Sequence, residues 1–176
     1  MAEEIFDVVN ERDEVIGQAP RSRVHRQGLK HRAVHVFLFD PSGRLFVQKR
    51  SAKKDTSPGL YDSSASGHVD SGEDYDACAV RELKEELGLD APRERFQKLF
   101  KIDACRQTGW EFVWVYRLQG GDPPAINPDE IESGAFWEIG AVRDLVARRP
   151  EQCAASFCRI FQEADARGLL PAGSPG

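Results

Sequence analysis

The stretch from Gly67 to Asp90, GHVDSGEDYDACAVRELKEELGLD, carries eight carboxylates against two cationic side chains, Arg81 and Lys84. Glu73, Glu82, Glu85 and Glu86 crowd around Arg81 in the chain, and like charges at short helical spacings repel. The spacing predicts a helix from about Asp74 to Leu87, with Gly88 placed to end it. At about 3.6 residues per turn, Ala79, Val80, Leu83 and Leu87 share one apolar sector that faces the core. Glu82, Glu85 and Glu86 fall together beside that sector, and Arg81 lies on the far flank. A solvated helix intersperses lysines with its glutamates, and here only Lys84 does so. Carboxylates that converge at the margin of a buried face suit a hard divalent cation such as Mg2+ or Mn2+. Taken alone, the run also fits an exposed acidic face, so the helix leaves both readings open.

Outward from the helix, the pattern is that of a mixed sheet with a few helices, not a regular βαβ alternation. IFDVVNERDEVIGQAP reads as an N-terminal hairpin, and HRAVHVFLFDPSGRLFVQKR as a second hairpin turning at DPSG. A polar loop with a short strand near Leu60 leads into Gly67. RFQKLFKIDACR and WEFVWVYRL read as strands turning at QTG, and AFWEI as a short strand. Helices are expected from near Ala141 and over about Glu151 to Arg167, where Ala154, Phe157, Cys158, Phe161 and Ala164 form one stripe. With 176 residues, the chain reads as a single domain over 1–170 followed by a disordered tail at 171–176.

Composition excludes several classes. A formal net charge of -5 argues against a general nucleic-acid-binding surface. No apolar run approaches the length of a membrane span, and the N-terminus lacks the basic and apolar regions of a signal peptide. Cys78, Cys105, Cys153 and Cys158 show neither a CxxC pair nor zinc-finger spacing. They read as reduced, mostly buried thiols of a cytoplasmic protein.

The register Gly67, five residues, Glu73, seven residues, REL, any residue, EE, any residue, Gly88 resembles the Nudix box at every constrained position. That resemblance implies a Nudix-type α/β/α sandwich and hydrolysis of a small-molecule organic diphosphate with Mg2+ or Mn2+. It implies Glu82 and Glu86 as principal metal ligands, with Glu85 as a further ligand or base. Arg81 and Glu73 would form a supporting ion pair, and the Gly67 carbonyl would join the metal shell. The region before the box is similar to isopentenyl-diphosphate isomerases, which share the Nudix fold. By that similarity Arg50 and Lys54 meet the substrate diphosphate, and His25, His31, His68 and Glu111 resemble the isomerase metal ligands. His68, beside the box glycine, is expected in the cleft and is assigned to the substrate, whereas His25 is expected to be a surface polar residue. The departure is Ser66, which stands where the isomerase has its catalytic cysteine. Isomerisation of an allylic double bond needs an acid and a base on opposite faces, and a serine without an activating base serves poorly. The balance is a metal-dependent diphosphohydrolase of an isomerase-like branch, with the isomerase and a non-catalytic binding module as alternatives. Trp110, Trp114 and Phe136 are candidates for stacking on a nucleobase or lining an isoprenoid pocket, with sheet packing as their default reading.

Overall fold

A computed structural model describes residues 2–172, so most of the expected tail at 171–176 lies outside the described residues. In chain order the elements are β1 (Ile5–Val9), β2 (Val15–Pro20), α1 (Arg21–Gln27), β3 (His31–Phe39), β4 (Leu45–Arg50), β5 (Tyr61–Asp62), β6 (Ala65–His68) and α2 (Tyr75–Leu87). They continue as β7 (Gln97–Ile102), β8 (Glu111–Gln119), β9 (Ile131–Trp137), α3 (Ile139–Arg148) and α4 (Ala155–Ala166). β1 and β2 form their own antiparallel hairpin. The remaining strands build one mixed sheet around β3, with β8 parallel along one whole edge.

Alternation along β3 divides the core. Val34, Val36 and Leu38 pack with Ala79, Leu83 and Leu87 of α2. Ala33, Phe37 and Phe39 point the other way, into Val142 and Leu145 of α3 and Phe157 and Phe161 of α4. The result is the α/β/α sandwich that the box resemblance implies.

The second hairpin departs from the expected one. β3 and β4 pair only at Phe39 and Leu45, beside their turn. Beyond that point they diverge; β6 pairs with β3 over Ala33 to Val36, and β5 with β4 at Gln48 and Lys49. One hydroxyl bridges the fork: Ser64 Oγ accepts from Leu38 N at 2.8 Å and donates to the Phe46 carbonyl at 2.6 Å. The backbone groups freed by the splay are thus satisfied inside the protein.

Two helices also differ from expectation. α1 was not foreseen, because RSRVHRQ buries only Val24 and shows no apolar period. The last helix begins at Ala155 because residues 150–152 form a separate 3-10 turn behind Pro150. Its apolar stripe is buried at Phe157, Ile160, Phe161 and Ala164.

Ser64→Ala strands two buried backbone groups, and the expected loss is about 2 kcal/mol. Urea unfolding measures it, and wild-type stability in the variant would show that other contacts hold the fork.

Candidate active site

A cavity of about 690 Å3 opens on the fork, walled by β3, β5, β6, α2, the 3-10 turn at Arg106–Thr108 and the start of α4. On one side stands α2. Its start is set by Asp74, whose carboxylate caps Ala77 N at 2.8 Å, and its end by Gly88 at φ 64. Contrary to the wheel, Glu82 and Glu86 sit within the buried face, joined by Cys78, while Val80 is only half-buried. Glu85 is exposed.

The closest approach is at Gly67 in β6. A Cβ there would lie 2.0 Å from the Glu82 carboxyl carbon and 2.6 Å from its Cγ. No residue with a side chain could stand against this carboxylate. Burial, opposed by Arg81, raises the Glu82 pKa to about 7. Burial and the neighbouring Glu82 charge push Glu86 well above the usual carboxylate range. Glu86 accepts one hydrogen bond, from Gln48 Nε2 at 2.7 Å.

Arg81 binds three carboxylates at once. It clamps Glu73 through Nε at 3.0 Å and Nη2 at 2.9 Å, and reaches Glu82 at 2.6 Å and Glu85 at 3.1 Å. Its Nη2 also donates to the His68 carbonyl at 3.0 Å, tying helix to β6.

The cations expected to meet a diphosphate are engaged. Arg50 donates to buried Asp62 at 3.1 Å and to the Thr56 carbonyl at 3.1 Å, and Lys54 pairs with Glu130. Both still line the cavity. Arg21, which the sequence reading passed over, lines it as well. It holds Glu4 at 2.9 Å and both oxygens of Asp55, and approaches His68 Nδ1 at 3.4 Å. Because α1 was unforeseen, nothing in the chain pointed Arg21 inward.

The histidines show the largest correction. His25 is not a surface residue: its Nε2 is buried without a hydrogen-bond partner. The ligand atoms of His25, His31 and His68 lie within 4.8 Å of one another. Phe6 of β1 closes the group, stacking on His31 at 5.6 Å and on His68 at 4.7 Å. His31 Nδ1 lies 2.9 Å from the Leu29 carbonyl, which only a protonated Nδ1 can satisfy. In the neutral ring that turns the Nε2 lone pair inward, where it has no partner although Glu111 Oε1 is 3.4 Å away. Glu111 also takes a 2.9 Å contact from His68 Nε2. Burial opposes its ionisation, yet the His31 and His68 imidazoles hold it well below the usual carboxylate range. Burial, then the His68 and His31 charges, lowers His25 to about 4. Three imidazoles converging beside one carboxylate form a donor set for an imidazole-preferring divalent ion.

Alternation along β6 keeps the two donor sets apart. Gly67 faces the acids of α2, whereas Ser66 and His68 pair with His35 and Ala33 and face the opposite side. Trp110, Trp114 and Phe136 do not line the cavity. Trp110 is exposed, Trp114 lies under Lys98, and Phe136 packs on Phe46 at 5.3 Å. Cys78 and Cys153 are buried, Cys105 and Cys158 only half-buried, and all are free thiols.

A NUDIX domain model matches residues 29–155. The chain belongs to the Nudix family. It is 43% identical over 130 residues to an uncharacterized Nudix hydrolase of Streptomyces coelicolor, covering 72% of this chain and 71% of that one. It is 33% identical over 172 residues to the isopentenyl-diphosphate Delta-isomerase of Serratia proteamaculans, covering 95% and 94%. Among solved structures, DR0079 from Deinococcus radiodurans superposes with a TM-score of 0.78 at 30% identity, covering 91% and 98%. This Nudix chain therefore has both hydrolase-named and isomerase-named relatives.

Two outcomes are expected. Purified protein should retain about one transition-metal ion per chain by elemental mass spectrometry. His31→Ala should lose it; unchanged content in that variant contradicts the histidine site. The second concerns the acids. Glu82 binds its proton more tightly folded than unfolded, so metal-free protein should lose stability as pH rises from about 4.5 to 7. Relative to Glu82→Gln, wild-type Tm should fall across that window and recover with Mg2+; parallel profiles would contradict the burial argument.

Proposed function

We propose that this Nudix protein hydrolyses the diphosphate linkage of a small organic diphosphate, using Mg2+ or Mn2+ at the acidic helix. The observation that carries the reading is the buried pair Glu82 and Glu86 beside the cavity, Glu82 lying against Gly67 and paired with Arg81, and Glu86 in no ion pair among the described residues. Two buried carboxylates raised toward neutrality fit a hard divalent ion, which would remove both the repulsion and the desolvation cost. Glu82 and Glu86 would hold it, with the Gly67 carbonyl beside them. When bound, such an ion supplies charge neutralisation for the diphosphate and a water of lowered pKa.

The chain's own residues carry the rest. Glu85 is exposed and reaches the cavity, which suits it to accept a proton from the attacking water or to complete the ligand set. Arg81 positions Glu82 and Glu85 through one guanidinium anchored on Glu73. Lys54 and Arg50 place positive charge at the cavity wall, where a diphosphate could compete for Lys54 against Glu130. His68 links the wall to the histidine group. Four free thiols accord with a reducing cytoplasmic setting.

One observation favours a second reading. The group of His25, His31, His68 and Glu111 resembles the isomerase metal site, and isomerase-named relatives span most of the chain. Against isomerisation, Ser66 lines the cavity with no side chain hydrogen-bonded to its hydroxyl among the described residues. A complete box argues against a non-catalytic module.

Phosphate release from a panel of diphosphates should require a divalent ion, vanish in EDTA and return with Mg2+ or Mn2+. Glu86→Gln should lower kcat by roughly a few hundredfold, about 3 kcal/mol of barrier, with its far-ultraviolet circular dichroism unchanged. Full turnover by that variant would remove the acidic helix from the chemistry.

A further inference from the structure

The half of the cavity facing α4 is built from Ala33, His35, Ser66, Arg106, Ala155 and Ser156. Its composition is unusual for a pocket that takes an apolar or aromatic ligand: it holds no aromatic ring other than imidazole and no aliphatic side chain larger than alanine. Ligand pockets for such groups are lined mainly by hydrophobic and aromatic side chains. The wall does offer hydrogen-bond donors. α4 starts without a side-chain cap, after Ala154, so the amides of Ala155, Ser156 and Phe157 lack intrahelical partners. Ala154 N is spent on the Tyr61 carbonyl at 2.9 Å, which pins this helix end to β5 beside the cavity. The helix dipole adds positive potential there.

Two further groups converge on it. Arg106, on the 3-10 turn packed against α4, makes no ion pair among the described residues. His35 is only 3% exposed, and its Nδ1 is held by Ser63 Oγ at 2.7 Å. That leaves Nε2 as the ring nitrogen for the cavity it lines, and it has no partner among the described residues. Alternation along β3 turns His35 away from Val34 and Val36, hence toward the α4 side. Asp62, a buried carboxylate that also lines the cavity 3.8 Å from His35 Nδ1, has its two oxygens taken up by Arg50 at 3.1 Å and by Ser63 N at 2.7 Å.

Resting on the hydrolase reading, we infer that this half of the cavity binds the group attached to the diphosphate, and that this group is a small sugar or polyol carrying a second anionic substituent. The α4 amides and Arg106 take the anion, and His35 Nε2 and Ser66 take hydroxyls. An isoprenoid chain would leave those donors unpaired, which costs more than its own burial returns. A nucleobase finds no ring to stack on.

5-Phosphoribosyl 1-diphosphate is a probe of this class, ribose 5-phosphate its non-hydrolysable part, and methyl diphosphate a probe of the hydrolase reading alone. The expected kcat/KM for phosphoribosyl diphosphate exceeds those for isopentenyl diphosphate and ADP by at least about tenfold, ~1.4 kcal/mol. By calorimetry, ribose 5-phosphate should bind the wild type and Glu86→Gln alike. Arg106→Ala should weaken that binding at least about fivefold, ~1 kcal/mol, and Ser156→Trp, which fills the pocket, should abolish it. Absence of saturable ribose 5-phosphate binding, or binding indifferent to both variants, overturns the assignment whether or not the protein turns over. Turnover of methyl diphosphate without preference for the phosphoribosyl compound overturns it while leaving the hydrolase standing.

Discussion

Glu82 and Glu86 are buried carboxylates, and everything around the cavity follows from holding them there. Desolvating such a group without a partner is costly, and the fold meets that cost by geometry. Gly67 gives up its side chain so that Glu82 can lie against β6. Arg81 spreads one charge over Glu73, Glu82 and Glu85. Gln48 gives Glu86 a neutral hydrogen bond. The Gly67 contact needs β6, and the Gln48 contact β4, at a fixed distance from α2. That distance is set by the fork between β3 and β4, with the Ser64 hydroxyl at its apex. The site stores unfavourable electrostatics of a sign that a divalent cation can relieve.

The N-terminal hairpin has a comparable purpose on the other face of β6. Phe6, fully buried with Ala19 and Val24, makes a small core of its own. That core presses α1 onto the sheet and brings His25 beside His31 and His68. Two donor sets of different chemistry, carboxylates and imidazoles, thus border one cavity from opposite sides of a four-residue strand. Hard cations suit the first and imidazole-preferring ions the second, so the two sides need not compete for the same metal.

The acidic helix was legible because its bounds are local: a cap at Asp74, a terminating glycine at Gly88 and an apolar period between them. The depth of Glu82 and Glu86 was not, because a buried sector drawn from the apolar residues alone leaves every acid outside it. Only the box resemblance placed the Gly67 carbonyl beside Glu82 and Glu86. The forked hairpin was missed since β3 reads as a near-continuous apolar run, which fits pairing along its length as well as divergence after one pair. His25 was misplaced because α1 is too short to show periodicity, and its burial depends on Phe6, 19 positions earlier. For Trp114 and Phe136 the default reading, sheet packing, is the one the structure shows: Trp114 lies on β8 under Lys98 and Phe136 packs on Phe46.

The claim that water attacks phosphorus at the acidic helix is tested most directly by isotope fate in one experiment. The protein is incubated with Mg2+, methyl diphosphate and isopentenyl diphosphate in water enriched in both oxygen-18 and deuterium, and the products are weighed by mass spectrometry. The account predicts oxygen-18 in one of the two products of methyl diphosphate, inorganic phosphate or methyl phosphate, and no deuterium in the carbon chain of the prenyl compound. Deuterium in an allylic prenyl product, with no oxygen-18 in any phosphate, would contradict it.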